Sequence, residues 1–260
     1  MDPDAPSTSP FPTPPPDSPS RPEPEQPRLG ISHLLVWTAC VAAYFSVARA
    51  FSSPDWVPRL ELSLVLAVGL TMGRATALGG LLLWVARRYR HLPFPGQPGE
   101  TLLVLLGIYA AQVLLQYPIH YGAELGTIPR WAPGLFSDLA VLLIAVLYLI
   151  AAVRTKILRW RVYFITVLVA GAIMVLLLLS LPLAESLLGP TFTAGRRLLP
   201  FVPDLPRVLP GAVLLFVAVK DARQGRRYRW THWLGIGIGL WNGLIGIPSA
   251  AWVTWTVLAL

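Results

Sequence analysis

The chain has one cysteine, four histidines and three methionines in 260 residues, and only 13% of its residues are charged. A single cysteine, Cys40, excludes an intramolecular disulfide and a multi-cysteine zinc site. Charge this sparse excludes an ordinary soluble domain, which carries about a quarter. Sustained alternation of apolar and polar residues is also missing, which argues against an outer-membrane barrel. No catalytic, metal or nucleotide signature stands out. The string GIGIGLWNGLIG follows no strand and lies inside an apolar run, so it does not read as a dinucleotide loop.

What the chain has instead is long apolar runs. It is 55% hydrophobic, with mean hydropathy +0.60. A helix needs about 20 apolar residues to cross the hydrocarbon core. Runs of that kind recur at about 31–50, 62–86, 102–121, 137–153, 162–184, 206–221 and 233–258. They predict an all-α fold, a polytopic transmembrane bundle of about seven spans over residues 30–260. Residues 1–29 form a separate tail. Eleven of the first 28 residues are proline, and the only large apolar side chains there are Met1 and Phe11. Such a segment cannot bury enough surface to offset its ordering entropy, so a disordered tail is expected.

Basic residues orient the spans. The loops after the second, fourth and sixth runs carry Arg87, Arg88 and Arg90; Arg154, Lys156, Arg159 and Arg161; and Lys220, Arg223, Arg226, Arg227 and Arg229. Lysine and arginine concentrate in cytoplasmic loops. With Arg21 and Arg28 of the tail, that side collects 14 basic residues, against six on the other. The expected topology has the amino terminus cytoplasmic and the carboxyl terminus outside. The sixth run is short, with an uninterrupted core from Val208 to Val219, but removing it would put a basic loop on the wrong side. The "VARA" ending at Ala50 has the small-x-small pattern of a signal-peptidase site. The long, acidic, proline-rich stretch before it is not that of a signal peptide. The same loops would meet anionic lipid headgroups, which explains the net charge of +8 without nucleic acid. The location expected is the plasma (inner) membrane.

Two spans carry stripes of small residues: Gly69, Gly73 and Ala77 in the second, Gly235, Gly239 and Gly243 in the seventh. At four-residue spacing each stripe lies along one helix face and lets another helix approach, within the chain or in a homo-oligomer. Pro248 should kink the seventh span. Arg74 stands at the middle of the second run, about 15 Å from either surface. Tyr109, Gln112, Gln116 and His120 share one face of the third span, and Gln112 falls at the depth of Arg74. A glutamine carbonyl and a tyrosine hydroxyl can accept from a guanidinium, which keeps its charge. Ionisable residues at such depth mark functional sites by default.

Three functional readings follow. In the first, Arg74, Tyr109, Gln112 and Gln116 hold a small anionic ligand or lipid in a transporter-like bundle. Against it stands a purely structural arginine held by glutamines and carbonyls. In the second, the protein works by interaction or assembly, its glycine stripes bringing helices or subunits together. In the third, His120 and Glu124, four residues apart near the outer surface, serve an intramembrane or interfacial enzyme or bind a metal. Two ligands are too few for a metal site, no nucleophile accompanies them, and Gly122 is expected to end the helix between them. No cofactor is implied, and no inverted repeat is visible. His33, His91 and His232 lie near membrane boundaries with no shared geometry expected.

Overall fold

A long apolar run has no water to satisfy its amides, so each backbone N–H must bond within its own segment, and a helix does this. The computed structural model describes residues 31–50, 62–91, 96–188, 205–225 and 228–243, and their regular structure is entirely helical. In chain order the helices are α1 (Ile31–Ala50), α2 (Leu62–Tyr89), α3 (Pro98–Glu124), α4 (Ala132–Arg154), α5 (Leu158–Leu188) and α6 (Leu205–Arg223). A further helix, α7, occupies 230–243. The proline-rich tail, the rest of the seventh run and Pro248 lie outside the described residues.

Among the described residues, four segments are long and apolar enough to cross a membrane: Val68–Tyr89, Pro98–Glu124, Ala132–Arg154 and Leu158–Leu176. These are the segments of an integral membrane protein. Exposed Leu, Val and Ile side chains along α4, such as Leu139, Leu142, Leu143 and Leu149, suit a helix face turned to lipid rather than water.

Local chemistry sets the helix ends. Pro98 opens α3 after extended Gln97; its missing N–H is no loss in the first turn, where amides lack intrahelical partners. The Leu125 N–H closes the other end on the Tyr121 carbonyl, and Gly126 turns away at φ 73°, a conformation glycine adopts without penalty. Gly225, at φ 61°, does the same after α6. Contrary to the expectation that Gly122 ends it, α3 runs through Gly122, and through Pro118 before it, to Glu124. A proline removes one ladder bond, and in an apolar setting the remaining ladder keeps the helix going.

Consecutive helices pack side by side from α1 to α6, and α1 also touches α3. α7 wedges between α2, α3 and α6. One buried cluster joins Leu102 and Leu105 of α3, Tyr148 of α4, Trp160 and Phe164 of α5, Leu214 and Val217 of α6 and Ile236 of α7. A second joins Tyr44, Ala75, Ala77, Leu103, Ala110 and Ile238. α3 and α7 contribute to both, so together they join the two parts of the core.

Candidate functional site

Arg74 is half-buried, and its Nε is enclosed without a hydrogen-bond partner. The Tyr44 hydroxyl is in electrostatic contact with the guanidinium. Tyr44 is 1% exposed, and its hydroxyl donates to the Ala110 carbonyl at 3.4 Å. Arg74 therefore sits where α1, α2 and α3 meet. Gln112 Nε2 donates to Gln116 Oε1 along its own helix at 3.4 Å. Tyr109 is exposed on the flank of α3. The tyrosine beside Arg74 is Tyr44, a residue the sequence reading did not single out. One polar residue in α1 has no periodic partner to mark it.

The small-residue stripes face other helices of the same chain. A Cβ on Gly69 would overlap the Trp241 ring, and one on Gly73 would come 3.4 Å from it. Ala77 is buried, and a Cβ on Gly107 of α3 would run into its carbonyl. Gly235 crosses the backbone of Gly99, Gly239 lies under Leu214 and Leu102, and Gly243 faces Gly211. At Gly235 and Gly107 the facing atom is a backbone carbonyl, which leaves no room for a Cβ, the kind of close approach that small residues permit.

The densest polar chemistry lies elsewhere, where the ends of α3, α5, α6 and α7 converge. Glu100, Asp221, Thr231 and His232 are all fully buried. Asp221, in the last turn of α6, forms an ion pair with Arg159 of α5. Its Oδ2 accepts from Trp160 Nε1 at 3.0 Å and its Oδ1 from the Tyr228 hydroxyl at 3.3 Å. Arg159 Nη1 also donates to Gln224 Oε1 at 2.8 Å. Glu100, in the first turn of α3, accepts from the Gly96 and Gln97 amides at 2.8 and 3.2 Å. It also accepts from the Thr231 hydroxyl at 2.5 Å, and Arg229 Nη1 lies 3.9 Å away. The Arg229 amide donates in turn to Gln97 Oε1 at 2.9 Å. Arg87 at the end of α2 is within electrostatic range of Glu100 and Arg229. Buried charge is costly unless paired and hydrogen-bonded, and both carboxylates meet that condition.

His232 links the two carboxylate halves. Its Nδ1 accepts the Gly99 amide at 3.0 Å, and its Nε2 lies 3.3 Å from Asp221 Oδ2. That second approach is close but not aimed as a hydrogen bond. An amide always donates, so Nδ1 bears no proton and the neutral ring carries its hydrogen on Nε2. Gly99 belongs to the first turn of α3, so an imidazole 133 residues away caps an amide that has no intrahelical acceptor. The ring stacks on Tyr228 with centroids 3.9 Å apart and meets Trp160 edge-on at 5.5 Å. His232 precedes the apolar run that begins at Trp233. Burial pushes the imidazole below its ordinary range, Asp221 and Glu100 pull it up, and Arg159 adds to the lowering.

The sequence reading missed this cluster. It expected no shared geometry for His232, whereas the structure buries that ring between Asp221 and the start of α3. The usable signals were small: Gln97 three residues before Glu100 after a proline-rich turn, the spacing of a capping box, and a lone acid, Asp221, inside a basic loop. At the other end of α3, His120 and Glu124 are exposed, and His120 Nδ1 bonds the Gln116 carbonyl at 3.0 Å. Among the described residues no group of three His, Cys, Asp or Glu side chains is placed to hold a metal ion. The chain matches no protein-family model, no curated protein and no solved structure.

Proposed function

We propose that this multi-pass membrane protein, with about seven crossings and a cytoplasmic tail, holds a small anionic group at Arg74. The group is a carboxylate, a phosphate or a lipid headgroup. The observation that carries the reading is the enclosed, unpartnered Nε of Arg74 in the middle of an apolar run. None of the ion pairs among the described residues involves it. A permanent cation in low dielectric attracts an anion strongly, and a charge-assisted hydrogen bond there is about twice a neutral one. Tyr44 supplies the neighbouring hydroxyl, and Gln112, Gln116 and Tyr109 extend a polar edge along α3. The basic loops lie against anionic headgroups of the inner membrane face, which agrees with the excess of basic residues expected on that side. The glycine stripes are engaged within the chain, so they lend no separate support to a homo-oligomer.

The test compares wild type with Arg74→Gln and Arg74→Lys in proteoliposomes and lipid nanodiscs. Uptake of labelled inorganic phosphate and of acetate is measured, together with anionic lipid retained through purification. Loss of a charged hydrogen bond should lower uptake or retention by at least about tenfold in Arg74→Gln, with partial recovery in Arg74→Lys. Equal uptake and equal retention in all three proteins would refute the reading.

A further inference from the structure

His232 stands between two arrangements that its own atoms can support. In the neutral ring Nδ1 accepts the Gly99 amide at 3.0 Å and caps α3. A second proton can enter only at Nδ1, because Nε2 already carries one. Two donors would then face each other, so the Gly99 contact must break. The positive end of the α3 dipole opposes the new charge as well. On the other side of the ring two groups favour it, against the opposition of burial and of Arg159. Asp221 Oδ2 is 3.3 Å from Nε2, and the Tyr228 face is stacked at 3.9 Å, where a cation gains from the ring's π face.

The Asp221 carboxylate is itself engaged by Arg159, Trp160 and Tyr228, which all donate to it. Besides Asp221 and Arg159, Glu100 acts on the ring; the neighbouring helix ends also carry Arg87 of α2, Tyr163 of α5, the exposed Lys220 and Arg223 of α6, and Arg229 beside α7. Of these, Glu100 is already bonded to two amides and to Thr231. Gly99 also lies at the crossing of α3 and α7, its carbonyl against Gly235.

We propose that His232 is a proton-binding site whose occupancy uncaps α3 at Gly99 and loosens the α3–α7 crossing. The protonated ring stays on the Asp221 and Tyr228 side while the first turn of α3 is released. One proton thus chooses between two sets of contacts at the helix junction, independently of any ligand at Arg74.

The experiment uses the full chain, uniformly isotope-labelled, in lipid nanodiscs. The His232 signals are identified as those missing from His232→Asn, and the Gly99 amide by its sequential connections to Pro98 and Glu100. At neutral pH the His232 spectrum should show the neutral ring protonated on Nε2. On acidification it should pass to the imidazolium, while Gly99 amide exchange, corrected for its intrinsic pH dependence, becomes about five-fold faster with the same midpoint. Asp221→Asn should move that midpoint to lower pH. In His232→Asn, whose side-chain oxygen accepts from Gly99 without titrating, exchange should stay flat. A neutral ring protonated on Nδ1 would overturn the proposal. So would unchanged Gly99 protection through the His232 titration, or a ring that stays neutral until the protein unfolds.

Discussion

Trp160 and Asp221, 61 residues apart, are joined by a hydrogen bond of 3.0 Å from indole nitrogen to carboxylate oxygen, with both residues fully buried. The bond ties the start of α5 to the end of α6, where Asp221 also holds Arg159. Trp160 is thus both a core side chain, packed against Phe164, and a donor to a buried charge.

Trp160→Phe keeps much of the ring but removes that donor. A hydrogen bond to a charged group contributes about 1.5–3 kcal/mol, and loss of that order is expected in reversible unfolding in mixed micelles. Asp221→Leu should cost more, about 3 kcal/mol or above, because Arg159 is left in a mostly buried setting without its partner. Arg159→Gln combined with Asp221→Asn should cost less than the sum of the two single changes. Strict additivity would show that the pair is not coupled.

Two glycines of α7 make a controlled comparison. A Cβ at Gly235 would collide with the Gly99 carbonyl, whereas one at Gly237 meets nothing within 4 Å. Gly235→Ala should destabilise the bundle by roughly 1–3 kcal/mol through overpacking. Gly237→Ala should be neutral or stabilising by up to about 1 kcal/mol, since alanine gives up less entropy in a helix. Matching unfolding curves for the two variants would contradict the close crossing.

Acid should weaken the fold through His232. Its pKa is lowered in the folded state, mainly by burial, against an ordinary value near 6.5. The unfolded chain then binds more protons than the folded one below that value, so stability is complete above it and falls as pH drops towards the folded pKa. Thermal midpoints in detergent should decline on that acid side. His232→Asn should flatten the decline, and an equal slope in both proteins would assign it to other groups.

Sidedness can be read by thiol labelling in a Cys40→Ser background. Single cysteines at the exposed positions Lys156 and Arg223 should react from one side of the membrane, and one at the exposed position Arg130 from the other. Reaction of Lys156→Cys and Arg130→Cys with the same impermeant reagent would break the alternating topology.

The helical class and four of the seven expected membrane-length segments were readable from the chain alone, because hydrophobic length and backbone satisfaction act along the chain. The same logic made Arg74 conspicuous, as one charge in a run such as LTMGRATALGG needs no neighbour to be noticed. Tyr44 was not readable, because only the packing of α1 on α2 and α3 brings its hydroxyl to the guanidinium. The polar junction was also hidden. Glu100, Arg159, Asp221 and His232 each sit near the end of an apolar run, where charge is ordinary and is first explained by topology. Burial and pairing are properties of several helices at once. Local sequence determined which stretches become helices and where charge sits along each. Only the convergence of four helix ends decided that Glu100 and Asp221 would be taken out of water and that an imidazole would cap α3, because the cost of desolvating a charge depends on what surrounds it.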